Sequence, residues 1–82
     1  MDYEQKVRDF ITEKFLYGKD ENPSNETSLY DTGIIDSTGM LEIIAFLEGT
    51  FDIRIEDDEL IPENLETIEC ITKFLERKHN DA

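Results

Sequence analysis

The sequence predicts an all-α fold, a bundle of four helices of which three are long and one is short. Three observations support it. Apolar residues recur at steps of three and four in three separate stretches. No stretch sustains the period-two alternation of a strand ladder, and a long connection rich in turn formers separates the first two periodic stretches.

The first periodic stretch carries Tyr3, Val7, Phe10, Ile11 and Phe15 on one stripe, with Glu4, Lys6, Asp9, Glu13 and Lys14 mostly off it. Gly18 follows, where a helix end favours a residue tolerant of the left-handed region. The first helix is therefore expected over about residues 2–17. From Gly18 to Ile35 the pattern dissolves into "GKDENPSNETSLYDTGII". A connection of that length is often functional when ordered. Leu29, Tyr30, Ile34 and Ile35 are expected to pin its second half to the core.

The second helix starts at Asp36 or Ser37, either of which is a good N-cap, and runs to about Gly49. Met40, Leu41, Ile44, Leu47 and Phe51 trace its apolar face. Ile53 and Ile55 alternate too briefly for a strand. Asp57–Leu60 suits a short helical turn stopped by Pro62. The last helix begins near Glu66 or Thr67 and carries Ile68, Ile71, Phe74 and Leu75. It ends in Arg77, Lys78 and His79, which complement the negative end of the helix dipole.

A chain of 82 residues makes one small domain and leaves little room for a substrate cavity with a catalytic shell. That shifts the expectation from an enzyme to a binding or carrier module. The charge is lopsided, with 8 Lys and Arg against 21 Asp and Glu, a formal net of −13. Such a surface repels nucleic acid and anionic membranes and favours basic patches on partner proteins. One cysteine, Cys70, excludes an intramolecular disulfide and a Cys-based metal cluster. The charged N-terminus does not read as a signal peptide and no run is long enough to span a membrane, so a cytoplasmic address is expected.

The stretch "YDTGIIDSTGML", Tyr30 to Leu41, holds two Asp–hydroxyl–Gly cassettes, a pattern that aspartic proteases use for their catalytic dyad. A dyad needs two carboxylates about 3 Å apart, each on a turn in a β-rich lobe. Here the strands are missing and Asp36 opens a helix, so Asp31 reads as a loop turn and Asp36 as a cap. "DENPSNETSLYD", Asp20 to Asp31, has the oxygen spacing of a calcium loop. It lacks the glycine at position six and the glutamate at position twelve, so no metal site is expected there. Cys70 reads as a small buried hydrophobe and His79 as a helix-end residue with no catalytic partner. That leaves Ser37, which either caps the second helix or sits in its first turn. A phosphate ester there would meet free backbone N–H groups and the positive end of the dipole.

At these residues the sequence resembles the acyl carrier protein family. The resemblance is carried by "GIIDSTGMLEIIAFLEGTFDIRI", Gly33 to Ile55, where a glycine and two aliphatics precede Asp-Ser and an amphipathic helix. "IPENLETIECITKFL", Ile61 to Leu75, resembles the family's third- and fourth-helix region. The resemblance implies a four-helix bundle whose Ser37 carries 4′-phosphopantetheine, installed from coenzyme A by a phosphopantetheinyl transferase. The arm would hold acyl groups as thioesters and present them to enzymes of a fatty acid, lipid or specialised biosynthetic pathway. The protein itself would be a monomer without catalytic activity. The runner-up is a stand-alone aminoacyl or peptidyl carrier, loaded by an aminoacyl-activating enzyme. An acidic helical adaptor or calcium-responsive module is the unrelated alternative.

Asp36 matches the family's acidic residue before the serine, and Glu42 and Glu48 match acidic positions offered to basic partner enzymes. Leu47, Ile55 and Ile61 would shelter an acyl chain between the second and third helices, or serve as plain core. Thr38 and Gly39 depart from the family's usual leucine and acidic residue after the serine. Gly39 costs about 1 kcal/mol of helix propensity against alanine. The departure implies a dedicated, stand-alone carrier with partners other than the usual fatty acid synthase enzymes.

Overall fold

A computed structural model describes residues 2–18 and 23–80 of the chain. Its helices are α1 (Tyr3–Phe15), α2 (Ser37–Phe51), α3 (Pro62–Leu65) and α4 (Ile68–Asn80), with a 3₁₀ turn over Asp57–Glu59. No strand occurs among the described residues.

Asp2 starts α1, its Oδ1 accepting from Gln5 N at 3.0 Å. The helix stops at Phe15, two residues short of the expected end, as Leu16 departs from helical angles and Gly18 turns left-handed at φ 77°. Val7 and Ile11 bury the inner face. Phe10 meets Phe46 of α2 edge-on at 4.1 Å between ring centroids. Tyr3 meets Phe51 at 5.4 Å, so aromatic rings fill the α1–α2 interface at two levels.

The connection before α2 is held to two helices at once. Arg8 donates to Pro23 O at 2.8 Å and to the side chain of Asn25, whose amide in turn donates to Glu4. Glu69 N donates to Asn25 O and Leu29 N to Glu66 O, both at 2.9 Å. These bonds satisfy backbone groups that a docked loop would otherwise bury unpaired. Leu29 and Ile35 are fully buried, as expected, and Ile34 is half-buried. Tyr30 is 45% exposed instead of pinned to the core.

Pro62 does not stop a helix; it begins one. Proline fits the first helical position, where its missing N–H has no partner to lose. α3 follows directly from it, while Glu56 and Glu59 bond reciprocally to close the preceding 3₁₀ turn. Asn64, the one buried polar side chain among the described residues, ties α3 down. Its Nδ2 donates to Glu59 O at 2.9 Å and its Oδ1 accepts from Arg77 at 2.6 Å. Lys78 adds an ion pair to Glu59 at 2.9 Å.

α4 buries Ile68, Ile71, Phe74 and Leu75 against this assembly. Cys70 is half-buried instead of fully buried. The cationic end of α4 therefore anchors α3 through Arg77 and Lys78. His79 lies in the last turn of α4, as expected, and also packs its ring against Tyr3 at 5.2 Å.

Candidate functional site

The site forms at the N-terminus of α2, where two neighbouring side chains divide the work. Asp36 is the cap: its backbone is extended and its Oδ1 accepts from Gly39 N at 2.7 Å. Ser37 occupies the first helical position, exposed to solvent. Its hydroxyl has no hydrogen-bond partner among the described residues, so it carries none of the capping duty. The backbone N–H groups of Ser37 and Thr38 lack the intrahelical acceptors of later residues, while Gly39 N bonds the Asp36 side chain and Met40 N the Asp36 carbonyl.

Gly39 is buried beneath the ring of Phe15 at the end of α1. A β-carbon there would lie 2.9 Å from Phe15 Cε1 and 3.3 Å from both Ile35 Cγ2 and Asp36 Oδ1. The first turn is thus closely approached by α1. That contact accounts for a glycine where helix propensity alone argues against one.

Ser37 lies on the wall of a groove of about 520 Å³ between α2 and α3. Met40, Leu41 and Ile44 of α2 face Leu60, Ile61 and Leu65 across it. Leu41 is 66% exposed, and Leu60 and Ile61 are each 41% exposed, so the groove has an apolar collar beside the serine. The spacing of Ser37, Leu41 and Ile44 puts the three on one helical face, a signal in the sequence that pointed to this wall.

Of the residues expected to shelter a chain, only Ile61 lines this groove. Leu47 and Ile55 are core residues, at 0% and 9% exposure, and do not line it. Leu47 faces the interior because α2 must bury one side against the whole bundle, and its apolar stripe is wider than the groove wall.

Asp36 and Glu42 lie on the other side of Ser37, where they line a smaller depression with Lys14 and Thr38. Both acids are exposed. Glu48 is engaged elsewhere: its Oε2 accepts from Ile55 N at 2.9 Å and braces the chain after α2. In the stretch from Asp20 to Asp31 with calcium-loop spacing, Asp20 lies outside the described residues, and the Asn25 side chain is taken by Arg8 and Glu4. Among the described residues no three His, Cys, Asp or Glu side chains gather as metal ligands.

The D-alanyl carrier protein of Streptococcus sanguinis (strain SK36) is 31% identical over 80 residues, covering 98% of this chain and 99% of the relative. The chain belongs to the acyl carrier protein family. A second relative of this carrier, the "Probable acyl carrier protein PigG" of Serratia sp. (strain ATCC 39006), is 26% identical over 90% of the chain and 85% of its own length. No family model matches the chain. Among solved structures, a chain from one described as "Crystal structure of FAD-dependent dehydrogenase" superposes with a TM-score of 0.75 at 25% identity. It covers 84% of the carrier and 97% of its own length. No helix among the described residues of the carrier is long and apolar enough to cross a membrane.

Proposed function

We propose that this carrier holds its cargo as a thioester on a 4′-phosphopantetheine arm joined to Ser37. The observation that carries the reading is the division of labour at the start of α2: Asp36 caps the helix and leaves the exposed Ser37 hydroxyl unengaged. A phosphodiester on Ser37 Oγ would sit at the positive end of α2, beside N–H groups that lack intrahelical acceptors. The residues present therefore fit the group. In the loading reaction a bond forms between Ser37 Oγ and the β-phosphorus of coenzyme A. The pyrophosphate linkage breaks, adenosine 3′,5′-bisphosphate leaves, and the hydroxyl proton passes to a base on the transferase.

When bound, the arm supplies the thiol that holds the cargo, and the chain's own residues position and present it. Asp36 and Glu42 offer exposed carboxylates beside Ser37 to a transferase or activating enzyme with a basic docking patch. Glu48 is better read as a brace, since its carboxylate is committed to Ile55 N. The cargo is an acyl or aminoacyl group. Full-length similarity to D-alanyl carrier proteins favours the aminoacyl class over the fatty acyl one.

Incubation with coenzyme A and a promiscuous phosphopantetheinyl transferase tests the attachment. Intact mass rises by one arm in the wild type and stays unchanged in Ser37→Ala. An unmodified wild type, under conditions that load a control carrier, overturns the reading.

A further inference from the structure

Ser37 stands between two charge environments. Among the described residues, no Lys, Arg or His lines the groove on one side of it. The depression on the other side has one cation, Lys14, alongside the exposed carboxylates of Asp36 and Glu42. Lys14 is exposed in the last turn of α1 and forms no ion pair among the described residues, although it shares the depression with both acids. Its neighbour fixes its position. Phe15 packs on Gly39 in the first turn of α2 and stacks on Phe10 at 6.1 Å, and Phe10 in turn meets Phe46 of α2 at 4.1 Å. A β-carbon at residue 39 would meet Phe15 at 2.9 Å, so the glycine lets the end of α1, with Lys14, lie against the serine's turn. A cation in the last turn of α1 suits the helix dipole, but that role is served on any side of the helix and does not call for this one.

We infer that Lys14 is a specificity-determining residue of the surface that docks on enzymes acting at Ser37. It selects partners that set a carboxylate against it, flanked by cations for Asp36 and Glu42. The inference rests on the reading that Ser37 bears the arm. At a closing interface opposite charges attract and like charges cost affinity. One lysine among acids therefore turns a face that any basic rim would fit into one with a required pattern. A partner with a uniformly basic rim gains from Asp36 and Glu42 and loses at Lys14. The glycine and the lysine form one device: Gly39 admits Phe15, and Lys14 arrives with it.

The test measures kcat and KM for loading the full chain from coenzyme A by a phosphopantetheinyl transferase with an all-basic docking rim. Lys14→Glu should lower KM about threefold or more, and Lys14→Gln by less, with kcat unchanged. Lys6→Glu makes the same change in net charge near the start of α1 and should leave KM within a factor of about 1.5 of the wild type. Melting temperatures verify that each variant is folded. The gain from Lys14→Glu should shrink in high salt, where exposed charges are screened. Replacing the transferase cation that faces residue 14 by glutamate should reverse the order, so that the wild type has the lower KM. Equal KM for the wild type and both Lys14 variants, or equal gains from Lys14→Glu and Lys6→Glu, overturns the inference and leaves the carrier reading intact. An order that the transferase variant fails to reverse does the same. A wild type that gains no mass, under conditions that load a control carrier, removes the attachment at Ser37 and this inference with it.

Discussion

The Phe15 ring covers Gly39 so closely that a β-carbon on residue 39 would come within 2.9 Å of Phe15 Cε1. Two opposing effects meet in Gly39→Ala. Alanine gains about 1 kcal/mol of helix propensity over glycine. Overpacking at a tight site costs about 1–3 kcal/mol. The steric effect wins because Ile35 and Asp36 also crowd the position at 3.3 Å. The variant should lose about 1 kcal/mol in urea unfolding, and adding Phe15→Leu should recover most of it. A single variant more stable than the wild type would show that Phe15 moves aside freely.

Asn64 joins α3 to α4 from a nearly buried position, bonded to Glu59 O on one side and Arg77 on the other. Asn64→Ala removes two hydrogen bonds, each worth about 1 kcal/mol net, although Glu59 O keeps its bond from Ile61 N and the exposed Arg77 is solvated. Because α3 is only four residues long, it has little helical cooperativity of its own. Hydrogen exchange should therefore quicken at Leu65 and Glu66 more than at Ile43 in the middle of α2. Uniform quickening across the chain would mean that Asn64 stabilises the bundle without specifically holding α3.

These two sites show where the sequence was legible. The stripes of α1, α2 and α4 were readable because each spans several turns, and periodicity needs length to register. Asp36-Ser37 was readable as a helix start because capping chemistry is local. α3 carries too few residues for a period, so Pro62 looked like a terminator when it was an initiator. The Phe15–Gly39 contact joins residues 24 apart and leaves no mark in either local pattern. Leu47 was placed on the apolar face of α2, but a face does not reveal which part of it meets the core and which lines a groove.

Acid should weaken the Glu59 anchor. The hydrogen bond from Glu56 N, followed by that from Lys78, holds the Glu59 carboxyl below its ordinary value. A carboxyl depressed in the folded state stabilises fully above its unfolded value of about 4.3, and that contribution fades as the pH falls through the folded one. The stability difference between the wild type and Glu59→Gln should therefore be largest near neutrality and shrink below about pH 4.3. Measuring the difference cancels the titration of the other acids common to both chains. A difference that stays constant from pH 7 to pH 3 would contradict the anchor's ionic character.

Glu42 and Glu48 lie six positions apart on α2 and should behave oppositely when each is changed to alanine. The exposed Glu42 has no hydrogen bond or ion pair among the described residues, so truncation should leave the melting temperature within a degree or so, as is usual for surface changes. It should raise the transferase KM several-fold and flatten the salt dependence, because a rim charge acts mainly on encounter. Glu48 holds Ile55 N at 2.9 Å, and its loss unpins the chain between α2 and the 3₁₀ turn. That variant should lose about 1 kcal/mol of stability, near the net worth of one hydrogen bond. Once folded, its transferase KM should match the wild type. The reverse pattern, with Glu48 governing KM and Glu42 governing stability, would make Glu48 the docking residue despite its bond to Ile55.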